Sequence, residues 1–288
     1  MLLLAGAVPV EHLPLLIGPV SYTEQGVKID GHELAINRGN EAMMTAACIV
    51  CKEYGVDVPI GMVAGDIGKR VGSEAIYKHL ADHLPEMGAE VLTLHYVMPD
   101  LKLNKKVLAT VDTMEKKPRM IADAGSMYVA KAGGDSKYYE VFTPDLGEAA
   151  FLADDKADHP SFTRGFIFNM EEDVPELIRR AYAGNNATKT MFVKGAIDYI
   201  CQDGEIVDTI NEPSIETMEP IGGTGDLITG MISGMLYAGV DPLEACRIAG
   251  RANRAAGELS QPTPATQVQK ILRHLPHALE IAQKAVAA

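Results

Sequence analysis

A glycine-rich turn that runs directly into an apolar helix places the strongest constraint on how this chain can fold. The turn reads Gly222-Gly223-Thr224-Gly225-Asp226, and apolar residues then recur every three or four positions from Leu227 to Leu236. That spacing predicts a helix with a wide buried face. The first N–H groups of a helix lack intrahelical partners, and glycines let an anion approach them closely. The stretch therefore predicts a phosphate-binding turn.

Asp226 distinguishes this turn from a simple phosphate site. A carboxylate beside a bound phosphate repels it, so we expect Asp226 to serve chemistry rather than affinity. As a general base it would take the proton from a hydroxyl that attacks a phosphoryl group. The alternative interpretation is that Asp226 only caps the helix, and a short glycine motif alone does not decide between the two.

The rest of the chain alternates between strands, polar loops and helices, which predicts an α/β fold with a mostly parallel sheet and helices on both faces. Strands are predicted at 1–8, 27–32, 58–64, 91–97, 120–122, 139–142 and 190–193, with a hairpin over 196–210. Helices are predicted at 40–54, 73–84, 103–114, 175–182 and 267–285. Residues 153–169 are predicted to form an irregular, charged surface segment. Because no repeat or linker is evident, we expect one domain over 1–288.

Several acidic side chains are expected at one edge of this sheet, because ligands of parallel sheets gather beyond the carboxyl ends of the strands. Asp66 and Asp123 follow predicted strands, and Asp226 would lie at the same edge. Asp145 and Glu148 have the spacing of a capping box, which alone could explain both.

Charge and hydropathy exclude some classes of partner. The net charge is -13 and no basic stripe is present, so we expect no nucleic-acid partner. No run of about 18 apolar residues predicts a membrane span. Residues 1–8 lack the positive flank and cleavage site of a signal peptide, so a cytoplasmic location is expected. Cys48 and Cys51 have metal-site spacing but no second pair, and are expected to be buried thiols.

Three stretches, taken in order, resemble the ribokinase-like superfamily of small-molecule kinases. Thr143-Pro144-Asp145-Leu146-Gly147-Glu148 resembles its magnesium-associated T-P-N-x-x-E, Lys194-Gly195 resembles V-x-K-G, and the glycine turn resembles its anion-hole-plus-base motif. The doubled glycine and Ile121-Ala122-Asp123-Ala124 are most similar to the ADP- or ATP-dependent NAD(P)H-hydrate dehydratase branch. The resemblance covers residues 120–260 and is weak over residues 1–120. It implies a ribokinase-like three-layer sandwich.

This chain departs from the dehydratase pattern in three places. The branch usually has histidine and proline inside T-P-H-P-G-E, where Asp145 and Leu146 stand here. The usual small-residue approach to the glycine motif is replaced by residues 218–221. The amino-terminal glycine-rich substrate segment is not recognisable, and residues 37–41 stand roughly in its place.

The resemblance also implies roles for individual residues, with ATP or ADP and Mg²⁺ as cofactors. Asp226 would be the base, and the Gly223 and Gly225 amides would stabilise the transferring phosphoryl group. The predicted nucleotide-binding residues are Gly222, Gly223, Thr224, Gly225 and Lys194. The predicted metal ligands are Asp145 and Glu148. The predicted substrate contacts are Asn40, Asp66, Asp123 and Asp226.

Three functions remain open at this point. In a dehydratase the phosphorylated hydrate would eliminate phosphate and restore the nicotinamide double bond. In a kinase the phosphorylated alcohol, such as a sugar or vitamin precursor, would leave. A nucleotide-binding sensor would bind without turnover, although Asp226 speaks against that function. The expected partners are a small-molecule substrate and a nucleotide, and the chain is expected to form a homo-oligomer.

Overall fold

A large, mostly parallel sheet forms the centre of the computed structural model, which describes residues 1–157 and 173–287. Within those residues the sheet has nine strands in the order β12-β11-β10-β9-β8-β7-β1-β6-β2. The strands are β1 (Leu2–Val8), β2 (Leu16–Pro19), β6 (Ile60–Gly65), β7 (Val91–His95), β8 (Arg119–Ala122), β9 (Val141–Phe142), β10 (Thr190–Val193), β11 (Asp198–Gln202) and β12 (Glu205–Ile210). The six strands from β6 to β10 and β1 run parallel, while β2, β11 and β12 pair antiparallel at the two ends.

Helices cover both faces of this sheet. They are α1 (Gly39–Glu53), α2 (Val71–Met87), α3 (Leu101–Thr113), α4 (Gly125–Gly133), α5 (Leu146–Ala153), α6 (Val174–Ala183), α7 (Thr224–Tyr237), α8 (Pro242–Ser260), α9 (Val268–Leu272) and α10 (Leu275–Ala287). One hydrophobic cluster joins the sheet to α1, α7, α8 and α10, and another joins it to α2, α3 and α4. The predicted three-layer α/β sandwich is therefore confirmed.

The contact between α1 and α7 holds the glycine turn in place. A Cβ on Gly230 would overlap the carbonyl oxygen of Met43, and one on Gly234 would lie 2.8 Å from Val50 Cγ1. Only glycine lets the two helix axes approach this closely. The packing brings the amino-terminal end of α1 next to that of α7.

Several elements differ from the sequence-based prediction. A small antiparallel sheet of β3 (Ser21–Tyr22), β4 (Gly26–Ile29) and β5 (His32–Ala35) occupies a region where only one strand was predicted. Helix α4 was not predicted. The predicted last helix is instead two helices, since Pro276 has no N–H and its ring would clash with the carbonyl of Leu272 in a continuous helix.

The prediction for residues 153–169 lies mostly outside the described residues, which omit 158–172. The single-domain assignment stays a prediction. All four cysteines are free and buried, as predicted for Cys48 and Cys51. No helix in the described ranges is long and apolar enough to cross a lipid bilayer.

Candidate active site

A cavity of about 760 Å³ opens at the carboxyl ends of the central strands. Most of the predicted site residues line it, namely Asp123, Asp145, Glu148, Lys194, Gly223, Thr224, Gly225 and Asp226. Gly222 lies beside them, where a Cβ would be 3.4 Å from Arg38 Cδ. The sheet topology thus brings together segments that are about a hundred residues apart in sequence.

Asp226 lies in the first turn of α7 and is 7% exposed. Its Oδ2 accepts a hydrogen bond of 2.7 Å from the backbone N–H of Gly39, the first residue of α1. Its Oδ1 lies 3.0 Å from His95 Nε2. The carboxylate is therefore tied to a second helix and to a strand end rather than to its own helix, which does not fit a simple cap.

His95 ends β7, is 1% exposed, and is held in one orientation by Asn40. The Asn40 amide nitrogen donates to the backbone oxygens of Ala7 and His95, so its Oδ1 must accept from His95 Nδ1, at 3.2 Å. With Nδ1 as a donor, Nε2 faces Asp226 and, at 3.5 Å, Asp123. An imidazolium that donates from both nitrogens satisfies every one of these contacts.

The surroundings of Asp226 keep it ionised. Burial works to raise its pKa, but the hydrogen bond and charge of His95, the charge of Lys194 and the Gly39 N–H outweigh burial and hold the pKa below its usual range. A base must be unprotonated to accept a proton, so Asp226 is in the required state at neutral pH.

Asp123 and Lys194 form a buried ion pair next to Asp226. Lys194 Nζ lies 3.0 and 3.1 Å from the two carboxylate oxygens of Asp123, and Thr229 Oγ1 donates to Asp123 Oδ2 at 2.5 Å. Burial works to lower the pKa of Lys194, but Asp123, Glu148, Asp226 and Asp145 raise it above its usual range. Lys194 is thus a fixed cation, and an ammonium has three N–H groups, so it can also contact a phosphate.

The atoms of His95, Asp123 and Asp226 lie within 4.8 Å of one another, a spacing that could hold a metal ion. The ammonium of Lys194 and the ring of His95 already neutralise these carboxylates. We therefore interpret the cluster as an ion-pair network. It fixes the geometry and charge at one end of the cavity.

Asp145 and Glu148 form the predicted capping box at the start of α5. Glu148 accepts hydrogen bonds from the Asp145 N–H and from the Tyr128 hydroxyl, both at 2.9 Å. Burial, and then the charges of Asp145 and Asp123, raise the pKa of Glu148 to about 8. The charge of Lys194 acts to lower this pKa but is outweighed. Two cavity-lining carboxyl groups of this kind suit a hard cation, whose charge would displace the Glu148 proton.

Helix α8 fixes the loop after β10, and residues of both line the cavity. Arg254 donates to the backbone oxygens of Gly195 and Ala196 and pairs with Asp198 at 2.8 Å. The neighbouring Asn253 also lines the cavity, and its buried Oδ1 has no hydrogen-bond partner among the described residues. This wall is preorganised and offers an amide to a ligand.

Two predicted substrate residues lie elsewhere. Asn40 is buried behind His95, and its amide nitrogen donates hydrogen bonds to backbone oxygens of β1 and β7. The Asp66 carboxylate accepts from the backbone N–H groups of Gly68, Arg70 and Ser73, and does not line the cavity. Asp66 therefore holds the loop that leads into α2.

Sequence reasoning missed His95, Tyr96 and Thr229. His95 and Tyr96 lie at the carboxyl end of a predicted strand, the same signal that pointed to Asp123. Thr229 lies one turn after Asp226 on the predicted helix, and its hydroxyl is shared between Asp123 and Thr143.

Known sequences are similar to this chain over much of its length. The model of the NAD(P)H-hydrate dehydratase family matches residues 99–277. An uncharacterized protein of Methanocaldococcus jannaschii is 38% identical over 239 residues, 82% of this chain and 98% of that protein. The bifunctional NAD(P)H-hydrate repair enzyme Nnr of Hyperthermus butylicus is 26% identical over 59% of this chain, but only 30% of that enzyme is covered.

Solved structures share the fold at low sequence identity. The ADP/ATP-dependent NAD(P)H-hydrate dehydratase of Bacillus subtilis, co-crystallized with ATP/Mg²⁺, is 18% identical with a TM-score of 0.56, over 99% of this chain and 90% of that one. Phosphofructokinase-2 of Escherichia coli, in complex with fructose-6-phosphate, is 12% identical with a TM-score of 0.54, over 97% and 100%. These similarities confirm the ribokinase-like fold.

The glycine turn, the Lys194-Gly195 loop and the Asp145–Glu148 capping box all fall inside the range that the family model matches. That range is more than half of the chain. The suspected relationship is confirmed, and the chain belongs to the NAD(P)H-hydrate dehydratase family.

Proposed function

We propose that this protein dehydrates NAD(P)H hydrate in a reaction driven by ATP or ADP with Mg²⁺. The observation that carries the proposal is the position of Asp226. It is a buried, ionised carboxylate at the wall of the cavity, and it stands beside the unpaired N–H groups at the start of α7. A base and an anion-binding turn at one point are what phosphoryl transfer to a hydroxyl requires.

The residues can carry the reaction in two steps. Asp226 takes the proton of the hydroxyl on the hydrated ring, and the freed oxygen attacks the terminal phosphoryl group of the nucleotide. The bond from that phosphorus to the bridging oxygen breaks, so that ADP leaves from ATP, or AMP from ADP. The amides of Gly223 and Gly225 and the ammonium of Lys194 stabilise the charge that develops. The C–O bond to the new phosphate group then breaks and phosphate leaves with the electron pair. The adjacent carbon loses a proton to the departing phosphate or to water, which restores the double bond.

Mg²⁺ fits the wall formed by Asp145 and Glu148, which offers only oxygen donors. The ion would supply charge neutralisation for the nucleotide phosphates. Glu148 and Asp145 would hold it, directly or through water.

The test is to supply hydrated NADH with ATP or ADP and to follow the recovery of reduced-nicotinamide absorbance. Recovery that requires the nucleotide supports the proposal. If ATP is consumed only when another alcohol is added, the protein is a small-molecule kinase. If nucleotide binds and no substrate is turned over, it is a sensor.

We extend the proposal to a cytoplasmic homo-oligomer. A net charge of -13 and an active site for small, diffusible substrates support that location. The inhibited form of Escherichia coli phosphofructokinase-2, which shares the fold at a TM-score of 0.53, is tetrameric. Light scattering on the purified protein tests the assembly, and a monomer at all concentrations would contradict it.

A further inference from the structure

Tyr96 occupies an unusual position at the wall of the cavity. It follows β7 directly, lines the cavity, and is 46% exposed. Its backbone φ is 53°, in the left-handed region. A bulky residue rarely adopts that conformation, and such strain is held in place only where the surrounding structure fixes it.

The inner side of the Tyr96 ring is packed next to the base. The ring centroid lies 4.2 Å from that of His95, which contacts Asp226. A Cβ built on Gly39 would lie 3.5 Å from Tyr96 Cε2, and the Gly39 N–H is the group that donates to Asp226. The rest of the ring is open to solvent and to the cavity.

The protein itself makes little use of this side chain. Within the described residues the Tyr96 hydroxyl has no hydrogen bond, although partial burial of the side chain and then the charges of Asp226 and Asp123 raise its pKa. An exposed ring, an unused hydroxyl and a strained backbone do not add stability. A ligand that stacks on the ring would account for all three features.

We propose that Tyr96 is the substrate-binding platform of this site, and that its open ring packs against the reduced pyridine ring of the substrate. This inference rests on the proposed function, because the ring of NAD(P)H hydrate carries the hydroxyl that Asp226 must reach. Packing on Tyr96 places that ring against the wall that holds Asp226. The left-handed backbone fixes the platform before the substrate arrives.

The test is binding of NADH, the product of the reaction, in the presence of ADP and Mg²⁺. Emission of the reduced nicotinamide reports binding, and the chain contains no tryptophan to interfere. Tyr96→Gly removes the ring and the backbone strain together, while Tyr96→Phe keeps the ring. We expect NADH binding about tenfold weaker in the glycine variant and unchanged in the phenylalanine variant, with equal ADP binding in all three proteins.

Thermal unfolding separates a binding role from a structural one. Since glycine adopts positive φ freely, Tyr96→Gly should unfold at the same or a higher temperature than the wild type. Gln261→Gly is the matched control, because Gln261 has a φ of 44° at the end of α8 and does not line the cavity. It should show the same thermal effect and wild-type NADH binding.

Three results would contradict the proposal that the Tyr96 ring binds the substrate. They are wild-type NADH binding in the glycine variant, no NADH binding by the wild type, and a glycine variant that loses thermal stability and ADP binding together. Hydrate turnover is measured separately. A wild type that binds NADH through the ring but does not dehydrate the hydrate would refute the proposed function and leave the platform standing.

Discussion

Both carboxylate oxygens of Asp226 accept hydrogen bonds, one from Gly39 and one from His95. A substitution at Asp226 must therefore preserve the shape of the side chain if it is to report on basicity alone. Asp226→Asn keeps the shape and removes the basicity. We expect turnover to fall roughly a hundredfold or more, as for loss of a positioned general base, with nucleotide binding intact. Steady-state kinetics and calorimetry with ATP–Mg²⁺ measure the two effects.

The matched control is Asp241→Asn. Asp241 is the N-cap of α8, where its carboxylate accepts from Leu243 and Glu244, and asparagine caps a helix equally well. It should leave turnover unchanged. If Asp226→Asn behaves like this control, or loses nucleotide binding while turnover per bound nucleotide persists, Asp226 is only a cap.

His95 should set the pH at which Asp226 becomes active. His95→Gln removes a cation beside Asp226, while the other charged groups that face it, Lys194, Asp123 and Glu41, remain. Without that cation the pKa of Asp226 rises, so the base is protonated up to a higher pH. We expect the acidic limb of the pH–kcat profile to move to higher pH, with unchanged nucleotide affinity.

A lower kcat with an unmoved acidic limb would contradict this role for His95. That result would mean that the ring only fills space between β7 and α7. The profile is the informative readout, since a packing defect lowers kcat at every pH.

Glu41 makes the stability of the fold depend on pH. Glu41 lies in the first turn of α1, and burial, reinforced by the charge of Asp226, raises its pKa to about 7. Its own backbone N–H, His95 and Arg38 act to lower the pKa but are outweighed. Between pH 4.5 and 7 the folded state keeps a proton that the unfolded state has lost, so stability falls as pH rises. The loss is on the order of 3 kcal/mol.

Glu41→Gln removes this titration. We expect the variant and the wild type to be similar in stability near pH 4, and the variant to be more stable above pH 7. Urea unfolding at both pH values measures the difference. A difference that does not change with pH would contradict the raised pKa.

At the scale of elements, two glycines of α7 should respond in opposite ways to the same substitution. A Cβ on Gly230 overlaps backbone of α1, which cannot move without separating the helices, so Gly230→Ala should destabilise the fold by about 2–4 kcal/mol. A Cβ on Gly225 would lie 3.3 Å from Lys194 Cδ, a flexible side chain. Gly225→Ala should keep the fold.

Gly225→Ala should instead weaken nucleotide binding, because the added methyl group lies on the surface of the phosphate-binding turn. Thermal unfolding and ADP calorimetry on both variants test the pair. Equal stability of the two variants would mean that α1 and α7 are not packed as closely as described.

The helices α7 and α4 show which elements the sequence could predict and which it could not. Helix α7 was predicted from its apolar spacing, and the structure shows that Gly230 and Gly234, one turn apart, allow its close contact with α1. Helix α4 (Gly125–Gly133) was missed because it is short, has a glycine at each end, and follows the Asp123 loop without a capping signal. In the structure it begins after Ala124, whose φ of 51° no local pattern predicts.

At the scale of the whole molecule, the sequence predicted which residues reach the carboxyl edge of the sheet but not which of them meet. Parallel topology places Asp66 and Asp123 at the same edge, yet β1 and β7 lie between their strands. Strand order depends on packing across the whole core, so local sequence cannot supply it. The same limit hid the pairing of His95 with Asp226, which are more than a hundred residues apart.

The proposed function requires one site to phosphorylate a hydroxyl and then to expel that phosphate. Phosphorus NMR of a reaction with hydrated NADH, ATP and Mg²⁺ tests both steps, because it separates inorganic phosphate from phosphate bound to carbon through oxygen. Inorganic phosphate should appear one-for-one with NADH, and both should form roughly a hundredfold more slowly with Asp226→Asn. A phosphorylated organic product that accumulates without NADH would mean that the protein is a kinase and not a dehydratase.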